Sequence, residues 1–483
     1  MSDLPDGWEW TTVGEIAEVR LGRQRSPKNH SGAHMRPYIR AANVGWDGLK
    51  LDDVKQMNFT EEEAETYHLR RGDILLSEAS GSAAEVGKPA IWNSEIEGCC
   101  FQNTLIRVRS IRVHENFLFW FLKSEALRGA FVEHSRGVGI RHLGSARLAN
   151  WPIPLPPLAE QRRIVSVLEG HLSRLNAGSA LMSKLRERVR VLTKRVLIDA
   201  VPARATTGWK TVSTGEAGAV ELGRQRHPDW HHGSHMRPYL RVANVFENRI
   251  DTGDIMQMDF PPDVFERFRL EPGDILLNEG QSPDLLGRPA MYRGVPEEVA
   301  FTNSLLRFRS GPGVDPKWAL LVFRRNMHAG RYIRDMRITT NIAHLSASRF
   351  KKIEFPLPPL VVQQRIAREV EGRLHAIDQL ADAVDNGIRR ADQLRRALLQ
   401  EAFSGKLVVQ DPADESASVL LERIRTERKN ATPVRRGRKP GAANVDARKT
   451  GSDGRMEEAL VDSTRPLPAA IEKGTQGALD LEL

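Results

Sequence analysis

The sequence predicts an α+β protein in which two similar mixed α/β domains are separated by an antiparallel coiled coil of two long helices, arranged about a pseudo-two-fold axis. Three observations predict it: an internal repeat with a period near 201 residues, a proline break after each copy, and a long apolar heptad pattern after each break.

The repeat is clearest where Val19 to Val44 reads VRLGRQRSPKNHSGAHMRPYIRAANV and Val220 to Val245 reads VELGRQRHPDWHHGSHMRPYLRVANV, identical at 18 of 26 positions. It continues through GDILLSE at Gly72–Glu78 with GDILLNE at Gly273–Glu279, and through GKPA at Gly87–Ala90 with GRPA at Gly287–Ala290. The match fades near Arg107–Ser110 and Arg307–Ser310. Within one copy, Asp73–Leu76 and Leu105–Val108 are strand-like runs set between Gly, Pro and Asn punctuation, and a helix is expected near Glu115–Gly129. A domain of about 150 residues is of ordinary size.

Each copy ends in prolines, WPIPLPPL at Trp151–Leu158 and FPLPPL at Phe355–Leu360, which stop regular structure and set the direction of the next segment. In the first helical stretch Leu168, Leu175, Met182, Val189 and Val196 recur every seven residues, with Ile164, Leu185 and Leu192 on the neighbouring seam and His171 and Gly178 as weak points. In the second, Val370, Ile377, Val384, Ala391 and Leu398 form one seam and Leu374, Ala381, Ile388 and Ala402 the other, interrupted by Arg395. Helices of about 40 residues span about 60 Å, and neither buries such a stripe without a partner. Pairing them antiparallel puts one domain at each end. The expected limits are residues 1–158 and 204–360 for the two domains, with helices at 159–203 and 361–404. A C-terminal extended piece and short helix come next at 405–429, the extended part at Ser404–Asp411 and the helix at Ser416–Arg428. A basic tail without apolar period occupies 430–483.

The chain has 71 Lys plus Arg against 62 Asp plus Glu, a net charge of +9 that favours polyanionic partners. Two adjacent cysteines, Cys99 and Cys100, make no disulfide framework and fit a reducing compartment. The start MSDLPDGWEW lacks the regions of a signal peptide, and no eighteen apolar residues run together, so a cytoplasmic protein without a membrane role is expected.

Reading DNA requires Arg or Lys for guanine, Asn or Gln for adenine, and basic or amide groups for phosphate. The repeated loops supply that set. Arg23, Gln24 and Arg25 match Arg224, Gln225 and Arg226, while Arg36, Tyr38, Arg40 and Asn43 match Arg237, Tyr239, Arg241 and Asn244. Gln102 and Asn103 match Thr302 and Asn303. Repeated residues serve a scaffold as readily as a readout, so positions that vary inside the frame are the better candidates for base choice. These are Lys28, Asn29 and Ser31 against Asp229, Trp230 and His232, and Ser77 against Asn278. The tail's RRGRKP has the composition of a minor-groove contact, although a solvated tail explains it better.

Catalytic signatures are not found. GSAAEVGKP at Gly81–Pro89 has one residue too many between its glycines for a phosphate loop, and Pro89 stands where Ser or Thr holds magnesium. No asparagine-proline-proline-aromatic stretch of adenine methyltransferases occurs. The histidine pairs His30 with His34 and His231 with His235 have a glycine between them and no third ligand, so no metal site is expected. Asp73 with Glu78, repeated as Asp274 with Glu279, has the composition of a nuclease carboxylate pair. A turn leading into a strand explains GDILL better, with Glu78 and Glu279 pairing a local arginine.

Four segments carry a resemblance: LPPLAEQRRIV at Leu155–Val165, PLPPLVVQQRIA at Pro356–Ala367, LRRALLQEAFSGKLV at Leu394–Val408 and VLLERIRTER at Val419–Arg428. With them the chain, over about residues 5–428, resembles the specificity subunit of Type I restriction–modification systems. The resemblance implies two target-recognition domains on antiparallel helices, reading a bipartite double-stranded DNA target. It implies a non-catalytic subunit that binds no cofactor and directs two modification subunits, which use S-adenosylmethionine to methylate adenine. Restriction subunits that use ATP and Mg would join them. The competing reading is a protein-binding adaptor with duplicated modules on a helical spacer, which has no salt-dependent, sequence-selective affinity for DNA.

Overall fold

The computed structural model describes residues 4–80, 82–133, 141–201, 208–334 and 343–430. The basic tail beyond residue 430, with its RRGRKP, lies outside the described residues.

In the first module the strands are β1 (Ala17–Leu21), β2 (Met35–Ile39), β3 (Lys55–Asn58), β4 (Ile74–Ser77), β5 (Pro89–Ile91), β6 (Cys100–Phe101) and β7 (Leu105–Ser110). An antiparallel four-stranded sheet has the order β1-β7-β4-β5, and a three-stranded sheet the order β6-β2-β3 with β6 parallel to β2. The helix α1 (Glu115–Leu127) buries Phe117, Leu118, Phe121 and Leu122. The short strand Glu9–Thr12 pairs antiparallel with Pro152–Leu155, so the proline segment closes the module before the first long helix, α2 (Leu158–Ala200), begins.

The second module repeats this topology: β8 (Gly218–Leu222), β9 (Met236–Leu240), β10 (Met256–Asp259), β11 (Ile275–Asn278), β12 (Pro289–Met291), β13 (Ala300–Phe301) and β14 (Leu305–Ser310), in orders β8-β14-β11-β12 and β10-β9-β13. The helices α3 (Pro316–His328) and α4 (Leu360–Phe403) come next, and α5 (Ala417–Asn430) ends the described chain. Asp315 caps α3 by accepting from the Lys317 and Trp318 amides.

The long helices run antiparallel. Ile164, Leu168 and Leu172 of α2 share a core with Leu399 and Ala402 of α4 and with the first module. Val189 and Leu197 share another with Val370, Leu374 and Ile377 and with the second module. Between these ends Arg395 donates 2.8 Å to Asn176, and Arg186 faces Asp385 at 3.6 Å. Arg395, a break in the seam by sequence, thus makes a cross-helix bond. A Cβ on Gly387 would lie 2.7 Å from the Met182 sulfur, so the glycine lets the helices close here. Leu185 and Leu192 depart from the expectation: they are exposed, as are Leu181 and Val191, because a two-helix pair buries one stripe and these side chains fall beside it.

Residues 404–411 form turns and bends rather than an extended strand, with Leu407 and Val408 packed on the first module's core. This steers α5 back onto the start of the chain. The Ala417 amide donates to the Gly7 carbonyl at 2.9 Å, Arg428 donates to the Gly14 and Ala17 carbonyls at 2.7 and 2.8 Å, and Arg425 pairs with Glu15 at 2.6 Å. Bonds from Arg425 and then Thr11 hold the Glu15 carboxyl below its ordinary range. No helix among the described residues is long and apolar enough to cross a membrane.

Replacing Leu168, a site with no exposed surface, by alanine lowers unfolding stability by about 2–5 kcal/mol in denaturant titration. Because Glu15 has a depressed folded pKa, its contribution is present above the ordinary carboxylate pKa and is lost as pH falls through the depressed one. Hydrogen-exchange protection across 417–430, measured against the intrinsic rate at each pH, therefore falls on acidification below the ordinary carboxylate range, and Glu15→Gln removes that dependence.

Candidate nucleic-acid interface

The loop joining β1 to β2 is anchored before it is displayed. A Cβ on Gly22 would lie 2.2 Å from the Gln102 carbonyl oxygen, and one on Gly223 would lie 2.3 Å from that of Thr302, so only glycine permits the approach. Arg23 then turns inward, 8% exposed. It donates to the Asn58 carbonyl at 2.6 Å, pairs with Glu63 at 2.7 Å and lies 4.9 Å over the Phe59 ring. Arg224 repeats the arrangement, bonded to the Asp259 carbonyl and stacked 4.0 Å over Trp230 and 4.8 Å over Phe260. These arginines hold the loop's base.

The next residues face solvent. Gln24, Arg25, Gln225 and Arg226 are exposed. The Arg25 Nε lies 3.1 Å from His30, and Arg226 lies 5.7 Å from the Tyr239 ring centre; neither forms an ion pair among the described residues. Single 3-10 turns, Pro27–Asn29 and Pro228–His231, then present Lys28 and Ser31 in one module and Asp229 and His232 in the other, with Asn29 and Trp230 half-buried. His34 and His235 anchor the loop's far end through their amides, each donating 2.8 Å to the side chain of Asn58 or Asp259. No cluster of three or more metal-ligating side chains occurs among the described residues.

Most of the other repeated polar residues point inward. Tyr38 and Tyr239 are core residues. Asn43 staples its loop by donating to the Lys50 and Asp53 carbonyls at 2.9 and 3.1 Å and accepting from the Arg40 amide at 3.2 Å. Asn244 does the same with Asp251, Asp254 and Arg241. Arg40 and Arg241 pair with Asp53 and Asp254. Arg237 pairs with Glu298 and stacks 4.9 Å over Phe265, while Arg36 is half-buried. Ser77 and Asn278 are buried at the ends of β4 and β11, as are Gln102 and Thr302 beside the loop base. Asn103 and Asn303 are half-buried corners whose amides donate to the Arg23 and Arg224 carbonyls at 2.9 Å. Side chains without exposed surface do not reach a base edge in this conformation. The solvent-facing set is Gln24, Arg25, Lys28 and Ser31 with Gln225, Arg226, Asp229 and His232.

The acidic pairs also resolve. Asp73 and Asp274 are buried carboxylates gripped at both oxygens by Arg109 (2.6 and 2.7 Å) and Arg309 (2.7 Å each). Glu78 and Glu279 pair not with arginine but with His142 at 3.0 Å and His344 at 3.1 Å, contrary to expectation, because short two-stranded ladders bring residues 141–142 and 343–344 alongside. The doubled Ile-x-His-Leu at 140–143 and 342–345 was the sequence signal for that partner. Arg107 and Arg307 are likewise held internally, by Glu18 at 3.0 Å and Glu221 at 2.7 Å. The inward cations are thus largely neutralised, and unpaired positive charge remains on the loop rim.

A family profile described as the Type I restriction modification DNA specificity domain matches residues 5–181. The Type I restriction enzyme EcoKI specificity subunit of Escherichia coli (strain K12) is 25% identical over 452 residues, covering 88% of this chain and 96% of the relative. The StySPI specificity subunit of Salmonella potsdam is 25% identical over 451 residues with the same coverage. In fold, the chain is similar to one from a structural study of complex assembly and conformational transition of the type I R-M system, with TM-score 0.67 and 21% identity over 84% of this chain and all of the other. It is also similar to the HsdS subunit from Thermoanaerobacter tengcongensis, with TM-score 0.50 and 21% identity over 84% of this chain and 98% of that one. The relatives match most of the chain, and the profile, over residues 5–181, describes a specificity domain rather than a catalytic one: the chain is similar to the Type I restriction–modification specificity subunits.

Proposed function

We propose that the chain reads a bipartite double-stranded DNA target, one half-site per module, and brings modification and restriction subunits to it in the cytoplasm without catalysing either reaction. The observation that carries this reading is the duplicated module held at opposite ends of one antiparallel helix pair. In the assembled complex two modification subunits supply S-adenosylmethionine-dependent adenine methylation, and restriction subunits supply ATP- and Mg-dependent cleavage.

The exposed rims perform the contact. Arg25, Arg226 and Lys28 supply cations for phosphate or guanine, and Gln24 and Gln225 supply the paired donor and acceptor that match adenine. The rims differ at Lys28 and Ser31 against Asp229 and His232, so the half-sites are related but not identical inverted repeats. Bases between them lie under the helix pair and go unread, with α4, at 44 residues, about 65 Å long.

The deciding experiment is a genome-wide map of methylated adenines in cells with and without this gene, both carrying the neighbouring modification gene. A split motif that vanishes on deletion is expected. An unchanged map, with both proteins expressed, turns the reading to a protein adaptor. In purified complexes Arg25→Ala and Arg226→Ala each weaken specific binding by about 1–3 kcal/mol. A contact to phosphate also lowers the salt slope by about one, whereas a contact to a base relaxes selectivity at one position. Inserting one heptad after Ser183 and one after Asp385 lengthens the pair by about 10 Å, and the methylated motif gains about three unread base pairs.

A further inference from the structure

One buried side chain occupies the same place at the root of each long helix. Gln161, in the first turn of α2, and Gln363, in the first turn of α4, have no exposed surface. The Gln161 Oε1 accepts the His114 amide at 3.0 Å and its Nε2 donates to the Pro156 carbonyl at 2.8 Å. The Gln363 Oε1 accepts the Asp315 amide at 2.9 Å, and its Nε2 donates to the Pro358 carbonyl at 2.8 Å and the Gly313 carbonyl at 2.9 Å. His114 and Asp315 are the residues immediately before α1 and α3, and Pro156 and Pro358 belong to the segments that end the modules. Each glutamine therefore ties three parts together: the spacer helix, the module helix and the proline linker.

The residues around these joints differ. Glu160 and Arg162 flank the first glutamine, Val362 and Gln364 the second, and the amides come from a histidine in one case and an aspartate in the other. Two of the bonds are nonetheless made to the same main-chain positions in both joints, the third, to Gly313, being particular to Gln363. A carboxamide is the one uncharged side chain of this length that offers an acceptor and a two-proton donor together, and only main-chain groups are asked to answer it. The joint is thus independent of the module's own side chains. Other bonds cross from module to rod, from Trp8 to Glu160 at 3.0 Å, from Asn116 and Trp120 to Glu169 at 3.1 and 3.0 Å and from Lys317 to Glu371 at 2.8 Å, but these join side chain to side chain, whereas the glutamine bonds end on main-chain groups that cannot turn without the backbone.

We infer that Gln161 and Gln363 are positioning residues that lock each recognition module at one angle on its spacer helix and so set which half-site separation the chain accepts. The inference rests on the reading of the chain as a bipartite DNA reader. Neither glutamine touches DNA.

The test uses the full chain with spin labels on Ala42→Cys and Ala243→Cys, both exposed and outside the reading rims. The native thiols do not compete: burial first, aided by the neighbouring cysteine, pushes Cys99 up to about 12, and burial pushes Cys100 up to about 11. The unsubstituted joint gives one narrow distance between modules, and Gln161→Ala with Gln363→Ala widens it at least about twofold by releasing directional bonds. In selection from duplexes carrying both half-sites at varied separation, that variant keeps the half-sites but loses about tenfold of its preference for one separation over its neighbours, as expected from leaving buried partners unpaired. Gln161→Glu with Gln363→Glu keeps the volume and the acceptor and falls between, and it carries the test if the alanine form lacks a cooperative melt. A folded variant with unchanged distance width and unchanged separation preference overturns the inference. If the parent chain selects no split duplex, the DNA reading itself fails, while the distance widths still decide whether the glutamines hold the joint.

Discussion

Everything in this molecule depends on the inability of a long amphipathic helix to bury its apolar stripe alone. Two such helices, one after each module, satisfy each other only if they lie side by side. Their antiparallel register makes each module pack on the root of its own helix and the tip of the other. Leu399 and Ala402, at the end of α4, therefore sit in the first module's core, and Leu197, near the end of α2, in the second. The rod and the modules are one continuous structure. Apolar burial is most extensive at the ends, whereas in the middle Leu181 and Leu185 stand exposed and Gly387 lets the helices close on Met182.

The modules divide labour between residues two positions apart. Arg23 and Arg25 are both repeated, yet one is consumed by Asn58, Glu63 and Phe59 while the other faces water. A buried guanidinium requires acceptors, and the acceptors lie more than thirty residues away on β3 and the helix after it, so the sequence near Arg23 carries no sign of its fate. The same holds for Asn43, whose amide finds two carbonyls in the following loop, and for Tyr38, whose ring fills the core. The repeat located the recognition loops by residue number, but identity between copies does not separate a scaffold that must recur from a surface that happens to.

Charge obeys the same logic. Asp73 and Asp274 look like catalytic carboxylates by residue type alone, but each is neutralised by a bidentate arginine from the neighbouring strand. Such a pair breaks at high cost and adds little when whole, so it specifies a partner rather than drives a reaction. Positive charge left unneutralised is what a polyanion meets, and at the loop rims it is carried by Arg25, Lys28 and Arg226.

The sequence by itself determined the duplication, the two long helices and their need for one another, because these are written in local periodicity and in residues that recur at a constant offset. It also carried the family resemblance, through the proline breaks and the segments around them. Only the tertiary structure decided which repeated polar groups turn inward, that Glu78 and Glu279 meet histidines, that residues 404–411 turn rather than extend, and that α5 returns to Gly7 and Glu15. The physical reason is range. A period of two or seven residues is a property of the chain at hand, whereas the partner of a charge or an amide is fixed by whichever distant segment folding brings within about 3 Å of it.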